Sequence, residues 1–172
     1  MGRAKHSLLL LGRRARMDQP DVPLGAAPAG GTSDVTPTTL REQLIRDEGL
    51  RLFPYRDSVG KLTIGVGRNL DDVGISMDEA TMLLDHDIAR ADAAVATRLP
   101  WAAGLDPVRR TVLINMAFNL GINRLLRFRL ALAAMEVADW STAAIEMLDS
   151  TWARQVGARA DRLAAQIISG EW

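Results

Sequence analysis

Two capping boxes fix where helices can begin in this chain, and the stretch between them fixes most of what else it can build. Thr39-Leu40-Arg41-Glu42 and Ser76-Met77-Asp78-Glu79 each place a hydroxyl three residues ahead of an acid, the pattern that satisfies free N–H groups at a helix start. The first box predicts a helix with Leu40, Leu44 and Ile45 on one face, ended by Gly49. The second opens a long helix with Ala80, Leu83, Leu84, Ile88, Ala91 and Val95 at helical spacing, stopped by Pro100. Between them, Tyr55 to Leu70 is punctuated by glycine and alternates Leu62, Ile64 and Val66, which predicts a small sheet with those three residues on one face. Downstream, Asp106-Pro107 caps a helix running to Gly121 with a stripe of Val112, Leu113, Met116 and Leu120. Leu125–Val137 and Trp140–Leu148 read as two more helices, the latter opened by Asp139. The fold class is therefore α+β, mainly α.

The chemistry concentrates where the first helix meets the sheet. Glu48 and Asp57 lie nine positions apart. Glu48 falls in the last helical turn, at the negative end of the macrodipole, and Leu52, Phe53 and Ile64 are expected to desolvate it; both effects favour the neutral acid. Asp57 falls in the turn Arg56-Asp57-Ser58-Val59-Gly60-Lys61, between two cations that favour its ionised form. Two carboxyls pushed apart in this way make an acid/base pair, and the hydroxyl of Thr63 on the following strand can hold a water. Glycoside hydrolysis asks for this set. The alternative phosphate-loop reading of Gly65-Val66-Gly67 fails because Leu70 stands where a dinucleotide motif needs glycine.

Composition excludes competing chemistries. The 172 residues are 48% apolar and suffice for one well-buried domain. Lys+Arg and Asp+Glu are both 21, so no net field draws the chain to nucleic acid or an anionic membrane. With no cysteine there is no thiol nucleophile and no disulfide, and His6 and His86, eighty positions apart, do not make a zinc site. No metal or cofactor is expected.

Asp47-Glu48-Gly49-Leu50-Arg51-Leu52, followed by Tyr55, Asp57, Gly60 and Thr63-Ile64-Gly65-Val66-Gly67, resembles the catalytic segment of the phage-type lysozymes, the endolysin muramidases. The resemblance implies a lysozyme-like two-lobed domain over residues 37–172, with a small three-stranded antiparallel sheet, a helical C-terminal lobe and a cleft between them. It further implies hydrolysis of the β-1,4 bond from N-acetylmuramic acid to N-acetylglucosamine in peptidoglycan, with inversion and host cell lysis. By position, Glu48 is the catalytic acid, Asp57 its partner and Thr63 the residue that helps place the water. The resemblance also marks Asn115 and Phe118 as cleft contacts. It brings Arg159 towards the acid, pairs Arg162 with Asp47 and returns the first helix to the large lobe. Many relatives carry histidine after Gly-x-Gly, where this chain has Arg68.

Residues 1–36 lie outside the resemblance. Their basic start and the Pro/Gly-rich run Asp21–Thr36 are expected to form a flexible tail and linker. The short Leu8–Leu11 run, followed by arginines, is a poor signal peptide, so action on the periplasmic wall is expected after release through a separate pore or delivery in a virion. A monomer without stable membrane insertion is expected. Two alternatives stand beside the muramidase: a lytic transglycosylase, which needs no water and so leaves Asp57 and Thr63 without work, and a non-catalytic peptidoglycan-binding virion component.

Overall fold

The computed structural model describes residues 39–172, so the expected tail and linker over residues 1–36 lie outside the described residues. In chain order the elements are α1 (Leu40–Glu48), β1 (Arg51–Arg56), β2 (Leu62–Gly65), β3 (Arg68–Asn69), α2 (Met77–Arg98) and a 3-10 turn (Pro100–Gly104). Then follow α3 (Pro107–Leu120), α4 (Ile122–Leu125), α5 (Arg129–Glu136), α6 (Trp140–Leu148), α7 (Thr151–Val156) and α8 (Ala158–Ser169). This is the mainly helical α+β architecture with one small antiparallel sheet. Both capping boxes form: the Thr39 and Ser76 hydroxyls each accept from the N–H three residues on, and Glu42 and Glu79 each accept from the cap N–H.

The sheet has the order β1-β2-β3, with Tyr55 opposite Thr63 and Thr63 opposite Asn69. Pairing is irregular between Arg51 and Tyr55, where Pro54 has no N–H to give the ladder. The buried residue of β2 is Thr63, 3% exposed, while Leu62 and Ile64 are only half-buried. Leu62 and Ile64 share a face as expected, but that face is only half-buried and Thr63 takes the buried one. The turn Asp57–Lys61, closed by Asp57 N–H to the Lys61 carbonyl at 2.9 Å, sets Arg56 against Leu62, and that register turns Thr63 inward.

The core belongs to the helical lobe. Val95, Val112, Leu113, Leu125, Met147 and Ile167 are its largest fully buried side chains, and α3 supplies the central stripe with Met116 and Ala117. The expected single helix over 125–137 is broken at Leu126–Phe128, where the Phe128 ring packs edge-on against Trp152 with centroids 5.9 Å apart. Seating that ring takes the local backbone out of helical geometry.

α1 does not return to the large lobe. It has no buried residue, and its Leu40, Leu44 and Ile45 stay exposed. Asp47 pairs with its neighbour Arg46 at 2.8 Å, so the expected tie to Arg162, itself exposed, is absent. The first half of α2 is equally bare, with Met82, Leu83, Leu84 and Ile88 uncovered and only Ala91 and Val95 buried.

Candidate active site

Glu48 ends α1, where Gly49 donates to the Ile45 carbonyl at 2.9 Å and then turns at φ 78°, ψ 156°, an extended left-handed exit that sends the chain straight into β1. The carboxyl is exposed and has no hydrogen bond or ion pair with any described residue. Leu52 and Phe53 are 76% and 70% exposed, so the hydrophobic surround expected for the acid is an open apolar surface here rather than a wall. With α1 undocked, no described residue shelters them.

Asp57 is half-buried and held by backbone rather than by cations. Its Oδ1 accepts the N–H of Val59 at 3.0 Å and of Lys61 at 2.8 Å. The flanking cations look elsewhere: Arg56 donates to the Gly60 carbonyl at 2.7 Å and Lys61 Nζ pairs with Asp72 at 2.8 Å. The expected cation support for Asp57 is therefore replaced by two amide donors, which fix its orientation. The Thr63 hydroxyl is buried on the same lobe and donates to the Lys61 carbonyl at 3.2 Å, leaving its oxygen free to accept.

Residues passed over in the sequence brace this turn. Asp71 Oδ2 accepts the Leu62 N–H at 2.9 Å, and Asn69 Nδ2 donates to Asp72 Oδ2 at 2.9 Å. The polar run Asn69-Leu70-Asp71-Asp72 was the available signal. Arg68 spans from β3 to α2, with Nη2 to Glu79 Oε1 at 2.8 Å, Nη1 to Oε2 at 3.1 Å and Nη1 to the Gly74 carbonyl at 3.3 Å. Glu79 thus serves both the helix cap and the sheet. The Ser76 N–H, and then the Arg68 guanidinium, hold its carboxyl below the usual carboxylate range.

Asn115, Phe118 and Arg159 do come together, in a groove of about 240 Å3 whose apolar walls are Leu84, Ile88 and Ile114. Arg159 does not reach the acid; its Nε and Nη2 donate to Asn115 Oδ1 at 3.1 and 2.6 Å. The structure thus keeps the expected site residues in two groups, Glu48, Asp57 and Thr63 on the small lobe and Asn115, Phe118 and Arg159 on the large one. Among the described residues no cluster of three or more His, Asp or Glu could hold a metal ion, and no helix is long and apolar enough to cross a membrane.

A carboxyl at a helix end, a turn-held carboxylate and a buried hydroxyl on a small sheet, joined by one long helix to a helical lobe, define a lysozyme-like protein. Residues 46–166 match the phage lysozyme family, and the chain belongs to that family. It is 28% identical over 162 residues to a probable T4-type lysozyme of Dictyostelium discoideum, covering 77% of this chain and 95% of that one. It is 30% identical over 131 residues to the SAR-endolysin of Escherichia phage Mu, covering 73% and 71% of the two. The pre-baseplate central spike protein Gp5 of Enterobacteria phage T4 is 31% identical over 179 aligned positions; 87% of this chain matches, but only 30% of the spike protein. These relationships support a lysozyme-like function acting on peptidoglycan.

Proposed function

We propose that the protein is an endolysin muramidase that hydrolyses the β-1,4 bond between N-acetylmuramic acid and N-acetylglucosamine with inversion. The supporting observation is Asp57, fixed by the Val59 and Lys61 amides in the turn that leads into the strand of Thr63, and separated by one short strand from Glu48, which has no partner among the described residues. Glu48 gives its proton to the glycosidic oxygen as the carbon–oxygen bond breaks, and Asp57 and Thr63 orient a water that attacks the anomeric carbon from the opposite face. The water's proton passes to carboxylate, and the acid is restored from solvent.

Glu48 is exposed in the structure, whereas bond cleavage by a protein acid works in a site closed to bulk water. We infer that the small lobe closes on the large one when a glycan binds. Leu40, Leu44 and Ile45 of α1 and Leu84, Ile88 and Phe118 beside the groove are exposed apolar side chains that such closure buries. The glycan itself covers Leu52 and Phe53.

Analysis of muropeptides released from purified sacculi tests the reading. Hydrolysis yields reducing muramic ends, whereas anhydro ends make the protein a lytic transglycosylase. Glu48→Gln is expected to reduce turnover by about 10²- to 10⁴-fold. The likeness to the spike protein favours one other role, a wall-binding virion component acting in the host envelope; equal clearing of a peptidoglycan suspension by wild type and Glu48→Gln would establish that role over the muramidase.

A further inference from the structure

A second cavity, of about 310 Å3, shares no lining residue with the Asn115–Phe118–Arg159 groove. It is formed where the 3-10 turn and the start of α3 meet the α5–α6 junction, and its chemistry comes from Trp101, Trp140, Asp106 and Glu136. Ala138, on its rim, has φ 58° in the left-handed region that a side chain rarely adopts, and it turns the chain so that Glu136 and Trp140 line one space. Its volume sits at the small end of the roughly 300–1,000 Å3 range of ligand pockets.

The lining groups narrow the occupant. Neither Trp101 nor Trp140 has a partner for its indole N–H among the described residues, and the Glu136 carboxylate is unpaired. The site therefore offers partly buried indole surface together with both donors and acceptors. A cation is disfavoured because the Arg109 guanidinium already lies 4.2 Å over the Trp140 ring and pairs with Asp106 at 2.8 Å. An anion is disfavoured by the free Glu136. A neutral ring with an apolar face and hydroxyl groups at its edge satisfies every group present.

We propose that this cavity is a second saccharide site, which takes an N-acetylated amino-sugar ring of a glycan strand away from the cleavage site. That choice of sugar rests on the muramidase reading above. Two footholds on one polymer raise effective concentration, so the second site promotes action on the polymer without altering the chemical step.

The test is calorimetric titration of the full chain, carrying Glu48→Gln to prevent turnover, with the N-acetylglucosamine tetramer. Trp101→Phe and Glu136→Lys, each added separately and checked by thermal unfolding, are expected to weaken one of two binding events by about tenfold and leave the other intact. On an otherwise wild-type background, both are expected to slow clearing of sacculi several-fold while hydrolysis of short soluble fragments is unchanged. Unchanged saccharide binding in both variants overturns the proposal. So does Trp101-dependent binding of tetramethylammonium in place of the saccharide, which would make this a cation site. If wild type leaves sacculi uncut yet Trp101-dependent tetramer binding persists, the muramidase reading fails and the second site stands.

Discussion

Arg109 ties the start of α3 to the end of α8. Its Nε and Nη2 donate to the carbonyls of Ile167 and Ile168 at 2.7 and 2.8 Å, satisfying the otherwise free end of α8, while Nη1 pairs with Asp106. The side chain is only 14% exposed and its bond to the Ile167 carbonyl is partly buried, so Arg109→Met, which leaves that carbonyl unpaired, is expected to cost about 1–3 kcal/mol in urea unfolding. Acid sensitivity belongs to this scale too. Glu79 titrates below its usual value, and Asp139 does so because Thr142 donates to it through hydroxyl and amide. At Asp106 burial pushes upward, but the Arg109 amide and guanidinium outweigh it and the net shift is also downward. Carboxyls with depressed folded values bind protons more weakly than in the unfolded chain, so their contribution is complete above the unfolded value of about 4 and is lost as pH falls through the folded ones. Melting temperature is expected to fall as pH is lowered below about 5, and Glu79→Gln is expected to make that fall shallower, read by scanning calorimetry across a pH series.

Among the elements, α1 stands apart because it carries the proposed acid yet buries no residue. The Thr39–Glu42 box and the Gly49 exit secure its ends, and none of its nine residues is buried. A helix this short is marginal without packing, so the cap governs how often Glu48 is presented in place. Thr39→Ala is expected to remove about 1 kcal/mol of local helix stability. The change should appear as faster amide exchange over residues 40–48 and a modest loss of activity, with the global melting temperature unmoved. An equal fall in global stability would mean that α1 is docked in solution. The sheet behaves oppositely. Asp71, Asp72 and the Arg68–Glu79 pair tie it to itself and to α2, so the Asp57 turn is expected to exchange slowly even where α1 frays.

For the whole molecule, the proposed closure brings the exposed Leu40, Leu44 and Ile45 of α1 against the exposed Leu84, Ile88 and Phe118 as an apolar seam. If binding closes that seam, small-angle scattering of the Glu48→Gln protein is expected to show a smaller radius of gyration with the N-acetylglucosamine tetramer than without it. Leu44→Asp with Ile45→Asp places two charges on the α1 side of the seam, which is solvated while open and desolvated when closed. This double variant is expected to lower turnover about tenfold or more while leaving the melting temperature close to wild type, because neither residue is buried as the structure stands.

Local rules along the chain determined the element types, both capping boxes, the stripe of α3, and the placing of Glu48 at a helix end, Asp57 in a turn and Thr63 on a strand, because caps, turns and periodicity act over a few residues. Only tertiary structure decided what those groups touch. Asp57 relies on two amides and not on Arg56 or Lys61, because the closed turn aims those side chains at the Gly60 carbonyl and at Asp72. Thr63 faces inward in place of its apolar neighbours because register is a property of paired strands. Asp47 turns to Arg46, and Arg159 to Asn115, because long charged side chains take whichever partner the backbone brings within reach, and distances between residues far apart in sequence exist only once the chain has folded.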